Sequence, residues 1–236
     1  MRKLIAILII IVLFFGCKQD NKQLEINSEK RTENRGEIGE IEPTKIDSLE
    51  LPKSIQYNGF IKNAIRWDDK LGKNIVILTE TGIFRSEKIK HESEDSNDAA
   101  LYGYHFIIKN NEAVQTWKVY DYVNDCSVDI VTSFIENTLK ITDLNKNGIA
   151  EVWLMYKTAC HGDVSPSEMK IIMYEGSNKF AIRGENRVQI GIDDDNEKIF
   201  IGGEYKVDDA FENGPKVFKV FAQNLWNKKE IENSNN

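Results

Sequence analysis

Asp143, Asn145, Asn147 and Glu151 place oxygen-bearing side chains at alternate or near-alternate positions of a short polar stretch, with Gly148 among them and apolar runs on either side. Oxygens at that spacing, joined by the main-chain carbonyl of Ile149, can converge on one hard cation, and a glycine in the middle permits the sharp turn such loops require. Ca²⁺ is the cofactor expected, in a structural role, because it accepts an irregular shell of oxygens. Only Asp143 and Glu151 bring formal charge, which sets the expected affinity in the range of extracellular modules, roughly 10⁻⁴ to 10⁻³ M. The same residues also make an interstrand turn in which Asp143 and Asn145 satisfy backbone amides, and both readings stand at this stage. A weaker echo occurs at Asp68, Asp69 and Gly72, where the aspartates read as turn formers, and the run Asp193-Asp194-Asp195-Asn196 reads as a solvated turn.

Cys126 and Cys160 are the second chemical pair. With Cys17 set aside they are an even number of cysteines in a chain that carries an export signal, so a disulfide is expected. Closing the loop between them would contribute roughly 3 to 4 kcal/mol on the chain-entropy model. Cys160 beside His161 also fits a thiolate or metal pair, a weaker reading once a second cysteine is at hand. The three histidines, His91, His105 and His161, show no ligand spacing. The chain has no H-E-x-x-H, no phosphate-cradling G-x-x-x-x-G-K-[ST] and no G-x-S-x-G, and no catalytic residues are assigned. Among 38 acidic residues an acid/base pair for glycoside chemistry cannot be picked out by sequence. Trp67, Trp117 and Trp153 could stack on sugars, but aromatics in strands usually belong to a core.

The elements that must position these groups follow from composition and periodicity. Arg2 and Lys3 precede an apolar run over residues 4–15 that ends in Gly16-Cys17. A run of about a dozen residues is shorter than the roughly 20 a membrane-spanning helix needs, so residues 1–16 read as a signal peptide. Residues 17–53 are rich in Asn, Glu, Lys, Ser and Gln with few apolar side chains, and read as a disordered tether that cannot offset its own ordering entropy. Residues 54–230 read as one β-rich globular domain and residues 231–236 as a disordered tail. Runs of β-branched and aromatic residues recur at 59–67, 74–84, 102–109, 113–122, 127–134, 138–142, 151–157, 168–174 and 179–183, which predicts a mainly antiparallel sheet or sandwich. Glu175-Gly176-Ser177-Asn178 is the expected hairpin turn. After Pro215, the residues Val217, Phe218, Phe221, Leu225 and Trp226 fall on one side of a 3.6-residue period, which predicts one C-terminal helix.

Leu13-Phe14-Phe15-Gly16-Cys17 resembles a lipobox, and the resemblance implies cleavage before Cys17 and lipidation of its thiol, with palmitate-type acyl chains holding the protein at a membrane. The pattern D-x-N-x-N-G-x-x-E over residues 143–151 is similar to the calcium loop of FG-GAP and VCBS-type repeats, in which strands flank the ion. Asn124-Asp125-Cys126, residues 141–156, Ala159-Cys160, residues 163–167, Met169-Lys170 and residues 181–184 resemble a family of bacterial lipoproteins labelled surface polysaccharide biosynthesis proteins. That resemblance implies a cell-envelope setting, with the outer membrane as the expected location and its face left open, and it supplies no catalytic residues.

Formal net charge is −7, and loss of Arg2 and Lys3 with the signal leaves 29 basic against 38 acidic residues, or −9. Such an acidic chain argues against a nucleic-acid partner, which demands clustered Lys and Arg. The expected partners are the membrane, through the lipid, and a glycan or an envelope protein. A binding or scaffold module of the envelope leads; an enzyme on cell-surface carbohydrate and a protein-binding accessory or inhibitor lipoprotein are the alternatives.

Overall fold

The computed structural model describes residues 41–231. The expected signal peptide, Cys17 and most of the tether lie outside the described residues, as do residues 232–236. Among the described residues no helix is long and apolar enough to cross a membrane.

The domain is mainly β. Strands β1 (Thr44–Lys45), β2 (Phe60–Asp69), β3 (Gly72–Phe84), β4 (Asn97–Lys109) and β5 (Glu112–Cys126) form an antiparallel meander in chain order. A second antiparallel sheet has the order β13-β10-β9-β8-β6, from β6 (Ile130–Phe134), β8 (Glu151–Cys160), β9 (Glu168–Glu175), β10 (Asn178–Glu185) and β13 (Tyr205–Val207), with β7 (Lys140–Thr142) also paired to β8. β11 (Arg187–Ile192) and β12 (Lys198–Gly202) make a separate two-stranded ribbon.

The two sheets pack face to face. Trp67, Val76, Leu78, Leu101, Trp117 and Val119 from the first meet Val152, Leu154, Tyr156, Ile172, Tyr174 and Ala181 from the second. The opposite face of the second sheet carries Trp153, Met155, Met169, Ile171, Met173, Phe180 and Ile182, covered by α1 (Asp209–Asn213) and α2 (Lys216–Lys229). β8 and β9 are therefore buried on both faces, which is why they read as nearly unbroken apolar runs rather than as alternating ones. α2 starts after Pro215 and buries Phe218, Ala222, Leu225 and Trp226, a stripe at i, i+4, i+7 and i+8. Val217, grouped with that stripe by periodicity, is exposed.

Ordered structure begins ahead of the expected domain start at residue 54. β1 pairs with β2, Asp47 caps the one-turn 3₁₀ helix Ser48–Glu50 through a reciprocal box with Glu50, and Ile46 and Ile55 are buried on the outer face of the first sheet with Ala64, Ile75, Ile77, Tyr104 and Phe106. A few aliphatics in a polar segment suffice because the sheet face below offers them a ready apolar floor. The remaining differences are short. β11, β12, β13 and α1 were not expected, and the turn at residues 193–196 is the tip of the β11–β12 ribbon.

Cys126 and Cys160 are joined, with Cα atoms 5.8 Å apart. The bond ties the last residue of β5 to the last residue of β8, one from each sheet, so Cys160 is not a free thiolate.

Candidate functional site

The loop between β7 and β8 is built as the alternating oxygens suggest, and most of its acceptors cap its own backbone. Asp143 Oδ1 accepts from the Asn147 amide and Oδ2 from that of Gly148, each at 3.0 Å. Asn145 Oδ1 accepts from the same Asn147 amide at 3.1 Å, and Asn147 Oδ1 accepts from Ile149 N–H at 2.8 Å. Gly148 sits at φ +80°, a left-handed conformation that costs a glycine nothing. Glu151, at 0 % exposure, accepts from the Leu144 amide at 2.9 Å and from the Thr142 hydroxyl at 2.7 Å, and that hydroxyl accepts from Trp153 Nε1 at 2.8 Å. Burial raises the Glu151 carboxyl above its ordinary range, and the bonds from Leu144 and Thr142 only partly oppose this.

Neighbouring hairpins grip the loop from outside. Asp69 in the β2–β3 turn accepts from Trp67 Nε1 and from the Ala150 amide through Oδ2, and from Leu71 N–H and Asn74 Nδ2 through Oδ1. The Lys70 amide donates to the Gly148 carbonyl at 2.9 Å, and its ammonium donates to the Asn147 carbonyl. Glu175 Oε1, at the end of β9, accepts from both Asn145 Nδ2 and Asn147 Nδ2 at 2.6 Å. The two acidic turns noticed in the sequence are thus adjacent in space, and Asp69 is a clamp between them. The Asp143, Asn145 and Asn147 oxygens are thus engaged by the loop's own amides, and the Glu151 carboxylate by Leu144 and Thr142. Among the described residues no group of three or more His, Cys, Asp or Glu side chains is placed to hold a metal ion.

The three tryptophans considered for sugar stacking are core residues, each 7 % exposed or less. His91 Nε2 lies 2.8 Å from Asp98 Oδ2 with both side chains buried. Burial alone would raise the Asp98 carboxyl, but the amides of Asp125 and Ser86 and the imidazole of His91 outweigh it and hold it below the usual carboxylate range. This cluster fastens the β3–β4 connection to the start of β4 and the end of β5.

The part of the surface best equipped to meet a ligand was not singled out by sequence. On the sandwich-facing side of the second sheet, Tyr156, Lys170, Arg183 and Lys206 are directly opposite one another across β8, β9, β10 and β13. The neighbouring row holds Thr158, Glu168 and Glu185, with Glu204 beside them through its carbonyl, which accepts from Glu185 N–H at 2.9 Å. Cover by the first sheet ends here: Ala181 is buried, and Arg183, two positions further along β10, is exposed. The result is a groove of about 550 Å³ lined by Glu168, Lys170, Arg183, Glu185, Glu204 and Lys206 among others.

Like charges directly opposite one another destabilise a sheet, so a row of three cations needs compensation. Lys170 has it, at 2.7 Å from Asp121 Oδ2 and 3.2 Å from Glu168 Oε2; Arg183 and Lys206 have no ion-pair partner among the described residues. Asp121, on β5, also accepts from the Tyr156 hydroxyl at 3.0 Å. Burial lowers the Lys170 ammonium's proton affinity, but the Asp121 hydrogen bond and charge outweigh it and leave the group above its ordinary value. Burial, then the negative Asp121, raises the Tyr156 hydroxyl. Both groups therefore keep their protons at neutral pH. Lys179, on the same face, has its ammonium lowered by burial and then by the charge of Arg183. Gly184 allows β13 its approach, because a Cβ there would fall 1.9 Å from the Glu204 carbonyl oxygen. The groove thus presents a lattice of donors and acceptors.

No family model, no curated protein and no solved structure matches this chain.

Proposed function

We propose that the protein is a lipid-anchored binding module of the bacterial cell envelope, and that its ligand is an acidic stretch of surface polysaccharide laid along Lys170, Arg183 and Lys206. The observation that carries this reading is the register of the three cations, two of them without a counter-ion, in a chain whose overall charge is negative. An anionic sugar would supply the missing charge, and the guanidinium of Arg183 can hold a carboxylate through two parallel hydrogen bonds. The flanking carboxylates of Glu168, Glu185 and Glu204 would accept from sugar hydroxyls. The apolar run before Cys17 and the resemblance of Met169-Lys170 and residues 181–184 to envelope lipoproteins support the same setting, and two of the cations lie within those matched segments.

The test is a titration of the full chain carrying Cys17→Ser, which also keeps it soluble, with purified acidic capsular polysaccharide and with a neutral glucan. Binding to the acidic polymer alone, weakening with salt and reduced at least tenfold by Arg183→Ala with Lys206→Ala, is the expected result. Equal affinity for both polymers, or no effect of the double substitution, refutes it. The anchor is tested separately: Cys17→Ser should move the protein from the membrane to the soluble fraction. For the 143–151 loop we propose a weak Ca²⁺ site at the apex, with Glu151 supporting the loop from beneath.

A further inference from the structure

The charged groove does not stop at Glu168. A second cavity, of about 430 Å³, adjoins it at the end of the sandwich that carries the disulfide, and Glu168 lines both. Strand register puts the two on one face: Thr158, from the second cavity, is directly opposite Glu168, which is directly opposite Glu185 of the groove. Neighbouring strands are about 4.8 Å apart, so the row from β8 to β10 is about 10 Å long, the span of two linked sugar rings.

The two cavities differ in charge. Followed toward β8, one row reads Lys206, Arg183, Lys170, Tyr156 and the other Glu185, Glu168, Thr158, so both end on β8 in an uncharged hydroxyl. Among the described residues no Lys or Arg lines the second cavity; His161 does, with Nε2 at 3.4 Å from the Ser167 hydroxyl. The cation paired with Glu168 is Lys170, which lines the groove and is already held by Asp121. Ser165 and Glu168 are exposed, the Glu168 side chain at 66 %, so a ligand in the cavity can reach both. A carboxylate-bearing sugar placed there would meet Glu168 with no fixed cation to offset the repulsion. A neutral sugar would instead donate hydroxyls to the Glu168 carboxylate and the Ser165 hydroxyl. The width of the cavity is set covalently: Val123 lines it from β5 and Thr158 from β8, and the Cys126–Cys160 bond ties those two strands at this end. Walls fixed in advance reduce the ordering cost of binding.

We propose that the two cavities form one trough, and that the acidic polysaccharide it takes has a mixed repeat: a uronic acid held by Arg183 and Lys206, linked to a neutral sugar seated past Glu168. This rests on the reading given to the groove above and adds a requirement to it. Charge density alone does not select the ligand; a polymer acidic at every unit binds less well than one acidic at every second unit.

The experiment is a calorimetric titration of the full chain carrying Cys17→Ser with three oligosaccharides of equal length. Hyaluronan hexasaccharide and unsulfated chondroitin hexasaccharide alternate glucuronate with a neutral N-acetylhexosamine, and hexagalacturonate is acidic at every unit. At least one alternating probe should bind at least tenfold more tightly than hexagalacturonate, against the trend of total charge. Ser165→Trp, at the exposed rim of the second cavity, should remove that advantage and leave hexagalacturonate binding unchanged. Glu168→Lys, which puts a cation at the junction, should narrow the gap by tightening hexagalacturonate, and decides the matter should Ser165→Trp fail to fold. Arg183→Ala with Lys206→Ala should weaken every probe. Hexagalacturonate binding as tightly as both alternating probes, or an advantage unchanged in the folded variants of the second cavity, overturns the mixed repeat while the cationic groove stands. Binding that is indifferent to the loss of Arg183 and Lys206 refutes the groove reading, and this inference with it.

Discussion

The 143–151 loop and the 193–197 turn are assembled from the same local chemistry. In each an aspartate opens the turn and accepts from amides two to five residues on: Asp143 from Asn147 and Gly148, Asp193 from Asp195 and Glu197. Each contains residues at positive φ, Lys146 and Gly148 in one and Asn196 in the other. Their surroundings differ entirely. The first is clamped by Asp69, Lys70 and Glu175 and rests on the buried carboxylate of Glu151. The second is the tip of a two-stranded ribbon whose Ile190, Ile192, Ile199 and Ile201 are exposed. A turn's sequence fixes its shape, and the energy at stake is set by what packs against it.

The largest effect that would sharpen this contrast is Glu151→Ala, which leaves the Leu144 amide and the Thr142 hydroxyl without their buried acceptor. A loss of about 3 kcal/mol in urea unfolding is expected; a loss under about 1 kcal/mol would put the two turns on the same footing. Asp69→Ala follows, at about 2 kcal/mol, because its carboxylate serves the Ala150 and Leu71 amides at once. A double-mutant cycle should find Asp69 and Asp143 coupled by at least about 0.5 kcal/mol, and Asp69 and Asp193 additive.

The pH dependence is smaller and its sign is fixed. Burial raises the Glu151 carboxyl above its ordinary range, so the folded state binds this proton more tightly than the unfolded chain does. The resulting stabilisation is complete below the unfolded value and is lost as pH rises through the folded one. Glu151→Gln should flatten that segment of the stability–pH curve, and an unchanged slope would show that another group causes it. Asp193→Ala should cost no more than about 0.5 kcal/mol, as for an ordinary surface change. The smallest effect is that of Ca²⁺. About 5 mM should raise the melting temperature slightly if the apex binds in the range of extracellular modules, and Asp143→Ala should remove the response while Asp193→Ala keeps it. Identical melting in chelator and in Ca²⁺ leaves the loop a self-capped turn.

Much of the fold was legible in order along the chain. The alternating runs of β2 and β5 and the nearly continuous runs of β3, β4, β8 and β9 carry their burial in their residue types, and Pro215 followed by apolar residues at helical spacing marks α2. β11 and β12 were missed although Val188, Ile190 and Ile192 alternate, as do Ile199 and Ile201; the four isoleucines are exposed and join no core, and β13 was missed because three residues carry no period. The N-terminal segment with Ile46 and Ile55 escaped because its few aliphatics gain meaning only when a sheet face lies beneath them. The loop oxygens and the cysteine pair were found because each depends on close spacing or on a small count.

By itself the sequence determined the mainly antiparallel architecture, the turn at residues 143–151 and the pairing of Cys126 with Cys160, since these follow from local periodicity, turn chemistry and the arithmetic of two cysteines. Only the tertiary structure decided that Lys170, Arg183 and Lys206 share one row, that Asp69 and Glu175 hold the loop, and that the buried His105 Nε2 is left without a hydrogen-bond partner among the described residues. Strand register and sheet stacking bring together residues far apart in the chain, and a one-residue slip would send each of those side chains to the opposite face. No window of sequence contains that information.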